Sequence, residues 1–79
     1  MDVRELPPGE AAPEGSDRVT INVLPNGKAG FTSTHQAGSV QAHGIHENIF
    51  PTEAAAIEAA LRWAEECRIE VLYVERPSP

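Results

Sequence analysis

The chain has 79 residues, a formal net charge of −6 and a single cysteine. A chain of this length forms one domain at most and is only marginally stable by itself. One lysine and five arginines offer no basic footprint for nucleic acid, and a lone cysteine excludes an intrachain disulfide. Since no charged-then-apolar leader and no membrane-length apolar run is present, we expect a soluble, cytoplasmic protein.

The two ends of the chain are predicted to lie outside the folded body. Residues 1–17 are rich in proline and glycine and carry five acidic side chains against one arginine. Such a segment buries too little apolar surface to offset its ordering entropy, so we predict a disordered acidic tail that could order on a partner. Residues 77–79 form a short C-terminal tail. Residues 18–76 remain as a single α+β domain.

A hairpin opens the predicted domain. Apolar residues at positions 19, 21 and 23 alternate with polar ones, which is typical of a half-buried strand. Pro25-Asn26-Gly27 reverses the chain, and residues 28–36 form a second strand with Phe31 in the same core. Residues 40–46 predict a weaker third strand, unless they continue one long, bent second strand.

One helix and one strand complete the domain. Thr52 is a suitable N-cap, and residues 53–67 have the composition and periodicity of a helix. The face expected on the sheet contains Ile57, Ala60, Leu61 and Ala64, and the opposite face contains Glu58, Arg62, Glu65 and Glu66. Residues 69–75 form the last strand. The predicted fold is therefore a small antiparallel sheet of three to four strands with one helix packed on one face.

Two surfaces are candidates for contact with another protein. On the helix side, the candidate contacts are Trp63, Glu66 and the acidic tail. Trp63 could instead close the edge of the core. On the outer sheet face, the candidates are polar and uncharged: Asn22, Thr32, Thr34 and Gln41. That face could simply be solvated. However, Leu24, Leu72 and Val74 are expected to interrupt it, which suggests that a complex or an oligomer, such as a homodimer, covers part of it.

No cluster of residues amounts to a catalytic, cofactor or metal motif. His43 and His46 point to opposite faces of a strand, so they cannot chelate one metal ion without a bulge at Gly44. Cys67 is interpreted as a residue at the edge of the core. Phosphate-binding loops, nucleophile elbows and paired carboxylates are not found in the sequence. We therefore expect no enzymatic activity, no cofactor and no metal.

The order strand–strand–(strand)–helix–strand resembles that of two groups of small proteins, as does the segment Phe-Pro-Thr-Glu-Ala-Ala-Ala-Ile-Glu-Ala-Ala-Leu-Arg-Trp-Ala at residues 50–64. The first is the phage inhibitors called anti-CRISPR proteins, which are short and frequently acidic. This resemblance implies an inhibitor that docks on a CRISPR effector and blocks access of DNA. The second is the HicB-like antitoxins, in which strands precede a Glu-Ala-rich helix like residues 53–64.

The expected function is a non-enzymatic protein-binding module that inhibits a larger protein, one that handles nucleic acid. The alternative is a HicB-like or other toxin-neutralising protein. A protein that binds double-stranded RNA has a similar sheet-and-helix layout, but the basic helix start that this requires is lacking here.

Overall fold

A computed structural model describes residues 1–37, 40–45 and 49–76 of the chain. In these residues one helix packs on one face of a five-stranded sheet, with the strand order β1-β5-β2-β3-β4. The elements, in chain order, are β1 (Asp2–Glu5), β2 (Arg18–Val23), β3 (Ala29–Ala37), β4 (Val40–Ile45), α1 (Glu53–Glu66) and β5 (Val71–Glu75). This confirms the α+β class and the packing of a helix on a small sheet.

The sheet is mixed, so the prediction of a purely antiparallel sheet was wrong. Strands β2, β3 and β4 pair antiparallel, but β5 runs parallel to both of its neighbours, β1 and β2. Because α1 returns the chain along the sheet after β4, β5 starts at the same end as β2. β5, the last of the described strands, lies between β1 and β2.

The disordered tail predicted for residues 1–17 is not confirmed. β1 pairs with β5 in parallel register, from Asp2 opposite Val71 to Glu5 opposite Val74. Beyond β1, the backbone N–H of Gly9 donates to the carbonyl of Arg76 over 2.9 Å. Composition predicts disorder from the lack of apolar residues, but these contacts are made by the backbone.

The predicted hairpin turn is confirmed at Pro25-Asn26-Gly27. Gly27 has a φ of 84°, and its N–H donates to the carbonyl of Leu24 over 3.0 Å. A turn followed by a left-handed glycine is a common three-residue hairpin loop. At the far end of β3, β4 is a separate strand that pairs back antiparallel, so the alternative of one long, bent strand is excluded.

The core lies between the sheet and α1. Its largest fully buried side chains are Ile21, Leu72, Val19 and Val74, and Ala60 and Ala64 of α1 pack in the same cluster with Phe31. We had expected Leu72 and Val74 on the outer face of the sheet. That prediction was wrong, because both face α1 in the core. Val23 was expected in the core but is 51% exposed.

Both ends of α1 are capped by local hydrogen bonds. The Thr52 hydroxyl accepts from the N–H of Ala55 over 3.1 Å, which confirms the predicted N-cap. At the other end, the N–H groups of Arg68 and Ile69 donate back to the carbonyls of Glu65 and Ala64, both over 3.0 Å. This pattern requires a left-handed residue, and Arg68 adopts a φ of 56° to supply it.

Within the described part of the chain, no helix is long and apolar enough to cross a membrane. The predicted C-terminal tail at residues 77–79 lies outside the described residues, as does His46.

Candidate functional site

Part of the outer sheet face is covered by the chain itself. Residues 6–17, here called the crossover segment, lead from the end of β1 back to the start of β2. Glu75 of β5 holds this segment: its Oε2 accepts from the N–H of Ala12 over 2.6 Å, and its Oε1 accepts from the hydroxyl of Thr20 over 2.9 Å. Ala12 is buried as a result. One chain thus covers part of this face by itself.

The predicted contacts on the outer face have different accessibilities. Asn22 is exposed, and Thr32 is half-buried. Thr34 is only 8% exposed, which removes it from the set of accessible contacts. The backbone of Gln41 is paired opposite Gln36, but its side chain lies outside the described part. Of the four candidates, Asn22 is therefore the one that the structure shows as freely accessible.

Trp63 lies at the edge of the core rather than wholly on the surface. It is half-buried and packs against the core cluster. Its ring meets the His35 ring edge-on, at 6.3 Å between centroids and 88° between planes. Trp63 thus closes the edge of the core. It also remains partly exposed, so it is accessible for contact with another protein.

The C-terminal turn of α1 is acidic and exposed. Glu65 and Glu66 end the helix, and no basic residue occupies its last turn. Among the described residues neither carboxylate takes part in a salt bridge, whereas Glu58 pairs with Arg62 at 3.7 Å. The negative end of the helix dipole disfavours carboxylates at this position. We call Trp63, Glu65 and Glu66 the acidic helix end.

A second cluster joins the crossover segment to β3. Oδ1 of Asp17 accepts from the N–H of Gln36 over 2.6 Å and lies 2.9 Å from Nδ1 of His35. Both side chains are partly buried. The arrangement orients the His35 ring between Asp17 and Trp63. The hydroxyl of the preceding residue, Ser16, donates to the carbonyl of Pro13 and not to this cluster.

Beside this cluster, an open cleft of about 390 Å³ lies where β5 and β3 extend past the start of β2. It is lined by residues 15–17, by His35 and Gln36, and by residues around the start of β5. Asp17 and Glu70 contribute negative charge to it, and Arg68 contributes positive charge. Two carboxylates against one guanidinium leave a small negative excess, which gives little preference for a cationic over an anionic ligand.

Arg76 joins three elements at the other end of the sheet. Its Nε donates to Glu53 of α1 over 2.7 Å, and its Nη2 donates to Glu5 of β1 over 2.9 Å. The hydrogen bond with Glu53 is the main cause that raises the pKa of Arg76, against the opposing effect of desolvation. Arg76 is therefore a structural residue that ties β1 to the start of the helix.

Among the described residues, no group of three or more His, Cys, Asp or Glu side chains is placed to hold a metal ion. His43 lies in β4, where side chains are outside the described part. Sequence reasoning missed the contact of Asp17 with His35 and the left-handed Arg68. The contact of Asp17 with His35 could have been predicted from the hairpin turn, because strand pairing centred on Asn26 places residue 17 opposite residue 35.

No protein-family model, curated protein or solved structure shows significant similarity to this chain.

Proposed function

We propose that this chain is a non-enzymatic protein-binding module that inhibits a larger, nucleic-acid-handling protein by covering part of its basic surface. The observation that supports this most strongly is the acidic helix end. Glu65 and Glu66 are exposed at the negative end of α1, with no basic residue in the last turn. Placing carboxylates there weakens the helix, so their presence is better accounted for by binding than by stability.

The sign of the charge favours a basic partner. The chain has a net charge of −6, and the acidic helix end adds to the negative potential of the helix dipole. Complementary electrostatic fields speed and orient association with a basic protein. The negative field of this chain repels nucleic acid itself. A groove that normally receives DNA or RNA is therefore the complementary surface.

Trp63 gives the proposed interface an apolar anchor. It is half-buried and lies one turn before Glu66 on α1. Its contacts with the core and with the His35 ring limit its freedom before any partner arrives. A side chain already held in place loses less entropy on binding, and tryptophan is enriched among the residues that contribute most to binding energy.

Affinity capture from bacterial extract, followed by identification of the bound protein, tests this proposal. We expect Glu65→Gln/Glu66→Gln and Trp63→Ala each to lose the partner that the unaltered chain retains. Glu10→Gln/Glu14→Gln is the matched control, because it removes the same charge from exposed positions of the crossover segment. If the control loses the partner equally, or the first two variants keep it, the acidic helix end is not the interface.

For the partner we propose a CRISPR effector or another protein with a nucleic-acid groove, and for the setting a phage or mobile element and the bacterial cytoplasm. The purified chain should then prevent the effector from binding its DNA target. Inhibition that persists with Glu65→Gln/Glu66→Gln would count against this mechanism.

A HicB-like antitoxin is the second candidate. It is favoured by the order of three strands, a capped Glu-Ala-rich helix and a further strand in residues 18–75. In this case the partner is a small toxin from the neighbouring reading frame, and co-expression should restore growth. A neighbouring frame whose product is not toxic would remove the antitoxin from consideration.

A further inference from the structure

The two edges of the sheet differ in their protection against pairing with another strand. β1 forms one edge with four exposed residues, of which Asp2, Arg4 and Glu5 are charged. β4 forms the other edge, and its sequence Val-Gln-Ala-His-Gly-Ile contains no Asp, Glu, Lys, Arg or Pro. Charged residues and proline are the usual devices that prevent edge-to-edge association. Only the β1 edge has them.

The absence of charge extends across the neighbouring strand. Residues 29–46, which include β3 and β4, contain no Asp, Glu, Lys or Arg, although the chain has 18 such residues in total. Nine of the twelve Asp and Glu residues lie in residues 1–17 and in α1. The β3–β4 side of the sheet is therefore the part of this acidic protein that a molecule of the same charge can approach with least repulsion.

From this asymmetry we infer that the β4 edge pairs with the β4 edge of a second copy, antiparallel about a two-fold axis, to form a continuous ten-stranded sheet. The inference does not depend on the proposed function. A second copy fits this edge because a two-fold interface needs only a self-complementary surface, and an uncharged strand places no like charges opposite each other. A basic partner, by contrast, has nothing to complement here.

The backbone geometry suits this pairing. β4 is six residues long and pairs with β3 from Val40 opposite Ala37 to Ile45 opposite Thr32. Its other side faces no strand of the described chain. Adding a strand would satisfy these backbone groups, with main-chain hydrogen bonds as the source of affinity. The acidic helix end stays free in both copies, since α1 lies on the face of the sheet and not at its edge.

Light scattering across a range of concentrations measures the association. We expect a mass twice the 8.5 kDa of one chain at high micromolar concentration. Gln41→Lys places a lysine on the β4 edge and should weaken dimerisation by about tenfold or more. Val3→Lys adds the same charge to the β1 edge, is partly exposed, and should leave dimerisation unchanged. A monomeric unaltered chain overturns the inference, and so does a dimer that Gln41→Lys leaves intact.

Cysteine cross-linking tests the register without added charge, and it remains decisive if Gln41→Lys fails to fold. Single cysteines are placed in turn at positions 40–45 of a Cys67→Ser chain, and the variants are mixed in pairs and oxidised. Opposed residues in an antiparallel ladder lie within disulfide range. We expect disulfides only between positions whose numbers have one constant sum. Cross-links without that pattern, or none at all, contradict antiparallel β4 pairing.

Discussion

Oδ1 of Asp17 lies 2.9 Å from Nδ1 of His35, which ties the end of the crossover segment to the end of β3. The same oxygen accepts from the backbone N–H of Gln36 over 2.6 Å. One carboxylate thus fixes the point at which the chain enters β2. It also sets the orientation of the ring that packs against Trp63.

Asp17→Ala should lower the free energy of unfolding by about 1–3 kcal/mol, because it leaves a partly buried N–H without its acceptor. Urea denaturation followed by circular dichroism measures the loss. Glu14→Ala is the control: this exposed neighbour should change stability by less than about 0.5 kcal/mol. Equal effects of the two substitutions would mean that the Asp17 contacts add nothing to stability.

Deletion of residues 1–5 should destabilise the fold by about 1–3 kcal/mol, since it removes the ladder between β1 and β5 and the Glu5 partner of Arg76. Urea denaturation measures this change, and hydrogen exchange should show faster exchange of the β5 amides. A tail without structure could be removed with no effect on either measurement. If stability and hydrogen exchange are unchanged, residues 1–5 are disordered in solution, as composition predicts.

Arg68→Gly should raise the free energy of unfolding by about 0.5–1 kcal/mol, because Arg68 has a φ of 56° and glycine adopts this conformation without a steric penalty. Thermal unfolding monitored by circular dichroism measures the gain. Arg68→Ala separates the backbone effect from the loss of charge, since alanine removes the guanidinium but retains the strain. If alanine stabilises as much as glycine does, relief of the left-handed conformation is not the cause.

Glu66→Gln should also stabilise the chain, by about 0.3–1 kcal/mol at low salt, because it removes a negative charge from the negative end of α1. The gain should shrink as salt is added. Glu58→Gln provides the contrast: it loses the pair with Arg62 and should cost a few tenths of a kcal/mol. A Glu66→Gln chain that is no more stable than the parent would remove the stability argument behind the proposed interface.

The elements that the sequence predicts well are those specified by local chemistry. Pro25-Asn26-Gly27 determines a turn, and Thr52 followed by alanine-rich sequence determines the start of a helix. The turn also determines the register of β2 with β3, and hence the opposition of Asp17 and His35. Each of these depends on residues close together in the chain, which is why single-sequence reasoning finds them.

The parts that the sequence did not reveal depend on distant partners. β5 has apolar residues on both faces, and alternation alone cannot say which face meets the helix, so Leu72 and Val74 were assigned to the wrong side. β1 has a polar sequence that resembles a disordered tail until β5 is present to pair with it. The left-handed Arg68 was also hidden, since helix C-termini of this kind usually contain glycine.

Among the candidate contacts, exposure depends on what the rest of the chain covers. Asn22 and Glu66 are exposed as expected, and Trp63 is half-buried. Thr34 lies on the polar face that alternation predicts, yet it is only 8% exposed. Alternation along a strand gives the direction of a side chain, but it does not show which other segment passes over it.

The position of β5 between β1 and β2 affects how the protein can fold as it is made. Asp2 pairs with Val71, so β1 is synthesised well before the strand with which it pairs. Until β5 leaves the ribosome, β1 has no edge to join and the apolar faces of β2 and α1 lack the buried Leu72 and Val74. Contacts so distant in sequence make folding slow for a chain of this size, and the nascent polypeptide remains exposed to chaperones and proteases until synthesis has passed β5.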